Sequence, residues 1–249
     1  MALEIKALTK DKPPHLSALL IAPAKFGKTT ALASLPKPLL IGDVDGGFLS
    51  LLNAKRVNPE GIFVAEIKTY EDAKEFFRTG WKQGPDGKPF ASVAVDTFSW
   101  LMTNVIKPGI LGARETMELR DWGLYLEKGL YLARMAHELA RRVDGCHVVL
   151  SCHEADKSDP DGAVGKLGPA ISGQLFDILP GMPDFVIFLR IRPTGKVDDK
   201  RRAIVERQFQ LGADARTPAG SRASTPDFVE PDFGKLWEYV SGNGGNDDK

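Results

Sequence analysis

Residues 17–35 read SALLIAPAKFGKTTALASL, and the order of residue types in this stretch decides the fold. An apolar segment (Leu19, Leu20, Ile21) runs into a turn bearing Pro23 and Gly27, then into Lys28, Thr29, Thr30 and a short helical run. The reading is strand, loop, helix, with Gly-Lys-Thr where the helix begins. The segment Ala24, Lys25, Phe26, Gly27, Lys28, Thr29 and Thr30 can turn its backbone N–H groups toward the phosphates of a nucleotide. Lys28 is the candidate for the terminal phosphates and the Thr29 hydroxyl for Mg²⁺. The phosphate-loop pattern asks for Gly-x-x-x-x-Gly-Lys-Ser/Thr, and here Ala22 stands at its first position. Ala22 and Pro23 must therefore make the turn with less backbone freedom than glycine gives.

The chain has 249 residues, enough for one large α/β domain with a sizeable core, or two small ones. At 43% apolar and 27% charged residues it is ordinary globular material. Lys+Arg and Asp+Glu balance at 33 each, so no global field draws the protein to nucleic acid or an anionic membrane, and any DNA binding must be local. No apolar run approaches the about 18 residues of a membrane span, and MALEIKALTKDKPP has no signal-peptide core. Cys146 and Cys152 lie at no metal or redox spacing and read as small buried hydrophobes. These features lead us to expect a reducing cytoplasm.

Outward from the loop, Pro36 and Pro38 stop its helix, and Leu39 to Ile41 form a second strand that ends in Asp43, Asp45 and Gly46-Gly47. A third strand spans residues 61–67 and a helix residues 70–78, followed by a Pro85-Asp86-Gly87 hairpin tip. Val93 to Val95 form a buried strand ending in Asp96, the acidic companion that a phosphate loop needs on Mg²⁺. Residues 107–122 read as a loop and residues 123–142 as the longest helix, with His137 exposed or capped. CHVVLSC is a fifth strand running into His153, and residues 155–173 a second long loop. A strand at 184–192 and an alternating strand at 203–211 finish the sheet in antiparallel fashion. The expected organisation is an arm at 1–16, one domain at 17–240 containing a helix near Leu236 to Val240, and a disordered tail at 241–249. Ligand belongs at the carboxyl ends of the parallel strands, where the loop, Asp43, Asp45, Asp96 and His153 fall.

The order APAKFGKTT, LLIGDVDGG, SVAVDTFSWL, HVVLSCHE and FVIFLRIR resembles the RecA-type recombinase core, in particular short phage-encoded RecA-like ATPases of single-strand annealing and recombination. The resemblance covers roughly residues 17–211, with a weaker match at AGSR (219–222). It implies an ATPase using ATP and Mg²⁺, stimulated by single-stranded DNA, assembling as a homo-oligomeric ring or filament in the host cytoplasm, and able to meet other phage replication proteins. It makes Asp45 the catalytic carboxylate, in place of the family's longer Glu, with Asp43 as fallback, and His153 the γ-phosphate sensor. Residues 107–122 and 155–173 become DNA-contacting loops with Arg114, Arg120, Lys157 and Lys166 as cations. Arg222 becomes the residue that completes a neighbour's site, with Arg216 in reserve. It also places CHVVLSC between SALLIA and SVAVD in the sheet; direct pairing of those two would point to a small-molecule kinase. A nucleotide-switched loader or mediator with little hydrolysis is the other alternative.

Overall fold

Strand β1 (Ser17–Ala22) is buried along its whole length, which its unbroken apolar run requires of a strand covered on both faces. The computed structural model describes residues 15–52, 57–157, 165–197, 201 and 203–241. Residues 1–14 of the expected arm, 242–249 of the tail, 158–164 of the second loop and Asp198-Asp199, between the two expected antiparallel strands, lie outside them.

After β1 come α1 (Lys28–Leu32), β2 (Leu39–Asp43), α2 (Leu49–Leu52), β3 (Ile62–Glu66), α3 (Tyr70–Arg78) and β4 (Ser92–Asp96). Next are α4 (Phe98–Trp100), a π-helical turn (Leu101–Ile106), α5 (Lys107–Leu111) and α6 (Leu119–Arg141). The remainder is β5 (His147–Lys157), β6 (Lys166–Pro169), α7 (Leu175–Ile178), β7 (Phe185–Val197), β8 (Ala203–Gln210), β9 (Gly220–Ser221), β10 (Phe228–Val229) and α8 (Phe233–Ser241).

The sheet order is β10-β8-β7-β1-β5-β4-β2-β3. Strands β7, β1, β5, β4, β2 and β3 run parallel, and β8 and β10 add antiparallel pairings at one side. β5 thus lies between β1 and β4, the RecA-type arrangement and not the kinase-type one. Period-two alternation sends Leu19, Ile21, Val93, Val95, Val148 and Leu150 to one face, against Phe76 of α3 and Leu132 and Ala136 of α6. Leu20, Ile41, Ala94 and Val149 go to the other face, with Leu32 of α1 and Phe233 and Leu236 of α8. Both cysteines are buried, and burial pushes each thiol up to about 12. His137 is half-buried and meets the Ser17 hydroxyl at 3.1 Å.

Three local expectations are corrected. Residues 107–122 are helical at both ends, in α5 and the start of α6, with a loop at 112–118 between them: the π-helical turn runs directly into α5, which takes Pro108 in its first turn. The second loop is partly a hairpin, because β5 continues to Lys157 and pairs antiparallel with β6. Pro85–Gly87 is a 3₁₀ turn on the way from α3 to β4, not a hairpin tip between strands.

Candidate active site

The loop after β1 solves the missing-glycine problem further along. Its left-handed residues are Lys25 (φ 63°) and Gly27 (φ 99°), and Ala22 stays in the strand, paired with His153 of β5. A non-glycine residue such as Lys25 holds this conformation at a cost of about 1–2 kcal/mol. Lys28, at the head of α1, is 5% exposed. Its Nζ donates to the carbonyls of Ala22 (3.2 Å) and Pro23 (3.0 Å) and to His153 Nδ1 (3.1 Å). Burial lowers the Lys28 pKa against the opposing pull of Asp96. Burial, then the Lys28 charge, also lowers His153 from its usual 6.5. A neutral imidazole accepting at Nδ1 carries its proton at Nε2. The His153 backbone is held by its N–H to Ser99 Oγ (2.9 Å), and its carbonyl accepts from Ala170 N (2.7 Å).

Asp96 closes β4 at 2% exposure. It accepts from Thr29 Oγ1 at 2.6 Å and from Ser151 Oγ at 2.8 Å. Burial raises its pKa, and those two bonds act against the rise. Asp43 lies beside it in the ladder between β2 and β4. Asp43 is 5% exposed and its Oδ1 has no hydrogen-bond partner. Burial first, and the charge of Asp45 next, raise its pKa. Asp45 is exposed and accepts from Gly47 N at 3.0 Å.

Gly47 marks where these oxygens converge. A Cβ there would lie 2.9 Å from Asp45 Oδ1, 3.3 Å from Asp96 Oδ2 and 3.8 Å from Thr29 Oγ1. Such an oxygen cradle, crowded with mutually repelling carboxylates, fits Mg²⁺, which takes one or two protein oxygens and fills its remaining positions from phosphate and water. Among the described residues there is no cluster of three His, Cys, Asp or Glu of the kind that would make a protein-only metal cage. Thr29 and Asp96 are the protein oxygens suited to Mg²⁺.

These groups line one cavity of about 520 Å³, shared by Ala24, Lys25, Gly27, Lys28, Thr29, Thr30, Asp45, Gly47, Asp96 and His153. Phe26 is the exception among the loop residues: its side chain packs on the core face carrying α1, and its carbonyl accepts from Arg207 Nε at 2.8 Å.

Arg222 is not brought to this cavity. Its N–H bonds the Asp184 carbonyl and its guanidinium reaches the Asp184 carboxylate at 3.3 Å, beside Arg141 at 2.5 Å. Asp184 N bonds Ser17 O, so this cluster sits at the amino end of β1, opposite the phosphate loop. Arg216 is paired with Asp156, and Arg114 forks onto Asp121 at 2.7 and 3.0 Å. Lys157 pairs with Asp177 at 2.9 Å. Four contributors escaped the sequence reading. Ser151 and Ser99 looked like ordinary small polar residues, Gly47 like part of a turn, and Arg207 lies far along the chain.

A strand, an anion-ready loop with an invading lysine, and a threonine bonded to the acid that ends β4 define a P-loop nucleotide-binding domain. Residues 15–223 match the AAA domain family (AAA_24), and the chain belongs to that family. No curated protein matches the sequence. Among solved structures, the crystal structure of the RadB recombinase is similar at 14% identity and a TM-score of 0.41, covering 79% of this chain and 87% of that one.

Proposed function

We propose that the chain binds Mg²⁺-ATP in this cavity and hydrolyses it, nucleotide state governing the assembly of copies on single-stranded DNA. The observation that carries the reading is the meeting of Lys28, Thr29, Asp45, Asp96 and His153, from separate segments, in one cavity. Lys28 exchanges its loop carbonyls for phosphate oxygens. Thr29 and Asp96 hold Mg²⁺, which when bound neutralises charge on the phosphates. Asp45 accepts the proton of the attacking water from the exposed rim. His153 donates from Nε2 to a terminal phosphate oxygen, and its bond to Ala170 carries any displacement to the chain after β6.

Strand binding is supported by the resemblance and by Arg120 and Lys166, which are exposed and make no ion pair among the described residues. The phage setting, the host cytoplasm and contact with other replication proteins belong to the same proposal and draw on the resemblance alone. For membranes, no helix among the described residues is long and apolar enough to cross one. A second reading, a nucleotide-switched loader or mediator, draws on the short, exposed Asp45 and on Asp43, whose burial favours its neutral form.

Nucleotide binding and turnover by the wild type and Lys28→Ala, with and without single-stranded DNA, test both. Lys28→Ala loses ATP binding while keeping its melting temperature. Normal affinity in that variant refutes the phosphate-loop assignment. Wild-type binding with negligible turnover, DNA present, selects the switch.

A further inference from the structure

We propose that Arg207 is a second cation of the nucleotide site, supplied by the same chain and contacting the polyphosphate of a bound nucleoside triphosphate. The inference rests on the phosphate-binding reading of the cavity and adds a residue that neither the loop pattern nor the resemblance contains.

Arg207 stands on β8 opposite Ile191 of β7. Two residues on, Phe209 shares its face of the strand and is fully buried, its ring 4.8 Å from that of Phe233 in α8. That anchored face is the one on which α1 lies, so Arg207 projects over the head of α1 from a fixed base. Its Nε donates to Phe26 O at 2.8 Å, and a Cβ placed on Gly27 would come within 3.3 Å of the same nitrogen. It lines the 520 Å³ cavity together with Lys28 and Thr29. It also lines an adjoining cavity of about 150 Å³ with Gly27, Thr30, Ala31, Leu189 and Pro231.

Its partnering sets it apart. Arg190, Arg216 and Arg222, from the same half of the chain, are each paired with a carboxylate: Glu154, Asp156 and Asp184. Among the described residues Arg207 makes one hydrogen bond, through Nε to a backbone carbonyl, and its two terminal nitrogens have no partner there. A guanidinium fixed at Nε, with two parallel N–H donors free beside a phosphate-sized cavity, matches the fork geometry that grips two phosphate oxygens. The need is electrostatic as well. Asp45 and Asp96 line the cavity and Lys28 is its most buried cation, so an entering polyphosphate benefits from a further positive charge beside the loop. Because the contact is made within one chain, phosphate binding does not require a neighbour, and occupancy is felt directly by the β7–β8 pair.

Calorimetric titration of Mg²⁺-ATP and of tripolyphosphate into the wild type, Arg207→Ala, Arg207→Gln and Arg207→Lys tests this. Arg207→Ala weakens both ligands by about 10- to 100-fold, the loss expected for a charge-assisted pair. Arg207→Lys recovers part of that loss by restoring the charge without the fork. Arg207→Gln keeps an N–H donor but no charge and binds as weakly as the alanine variant. The deficit shrinks in 0.5 M NaCl, since screening weakens a charge contact and leaves a steric one unchanged. Unchanged tripolyphosphate affinity in Arg207→Ala, or wild-type affinity in Arg207→Gln, overturns the proposal. A deficit independent of salt overturns it too, by making Arg207 a prop for Phe26. Should the alanine variant not fold, the Gln and Lys variants carry the same comparison. If the wild type binds neither ligand and Lys28→Ala behaves identically, the phosphate-loop reading itself fails.

Discussion

Ser151→Ala isolates the energetics of the buried carboxylate at the centre of the site. Ser151 is fully buried on β5 and donates to Asp96 Oδ1 at 2.8 Å; the other oxygen takes the Thr29 hydroxyl at 2.6 Å. Alanine removes one donor and adds no volume, leaving Oδ1 of a 2%-exposed carboxylate without a partner. A hydrogen bond to a charged group contributes about 1.5–3 kcal/mol, and for a chain of this length each 1 kcal/mol moves the melting temperature by about 2–4 °C. The expected drop at pH 7.5 is therefore about 3–12 °C. Its pH dependence has a definite sign. Burial raises the Asp96 pKa above the ordinary 3.8, and the Ser151 bond opposes that rise. Without Ser151 the folded pKa climbs further, so the folded variant holds its proton more tightly than the folded wild type does. Below the folded wild-type value, Asp96 is protonated in both folded proteins and the deficit is small. It grows as pH rises through the folded pKa and then levels off. Thermal melts at pH 4.5 and 7.5 read this directly. A deficit equal at the two pH values, or under about 1 °C at pH 7.5, refutes the claim that Ser151 stabilises an ionised Asp96.

Asp45→Asn should keep ATP affinity and lower turnover by about 10²- to 10⁴-fold, measured as steady-state phosphate release; if Asp43→Asn does so instead, the base has been assigned to the wrong carboxylate. Asp43→Asn should raise the melting temperature, because burial disfavours the charge on Asp43 and its Oδ1 is unpartnered. Its folded pKa lies above 3.8, so that gain is absent well below 3.8, grows as pH rises past 3.8 and levels off above the folded value; a gain equal at pH 3 and pH 8, or a loss, contradicts the argument. Arg222→Ala tests the cross-subunit role. If Arg222 leaves Asp184 for a neighbour's nucleotide, turnover falls about 10³-fold with ATP affinity kept, and mixing with Lys28→Ala protein restores part of it. A change confined to a melting shift of a few degrees, with Arg141 still paired to Asp184, limits Arg222 to a counter-ion at the far end of the sheet.

The parts of this protein that sequence reveals are those whose physics is local. A strand buried on both faces must be apolar throughout, so Leu19 to Ile21, Leu39 to Ile41 and Val93 to Val95 could be recognised with no knowledge of their neighbours. The phosphate loop and the acids ending β2 and β4 are read the same way, because their chemistry sits within a few residues of a strand end. Helix boundaries failed where a residue's usual meaning is overturned by what precedes it: Pro108 and Gly109 signal a loop, yet a π-helical turn brings them into α5 as its opening. Non-local pairing was the least legible. Alternation along β8 says that Arg207 lies on the face of Phe209, but nothing in residues 203–211 says that the phosphate loop, 181 positions away at Phe26, fills the space before it. Arg222 presents the converse. Its surroundings in AGSR suggested a free arginine, whereas the pairing of β9 with β7 returns it to Asp184, a carboxylate 38 positions earlier. Motif position alone therefore points to one arginine and is silent on the other: within one chain Arg222 is paired with a buried acid, and Arg207, outside the recognised segments, lies against the loop at Phe26.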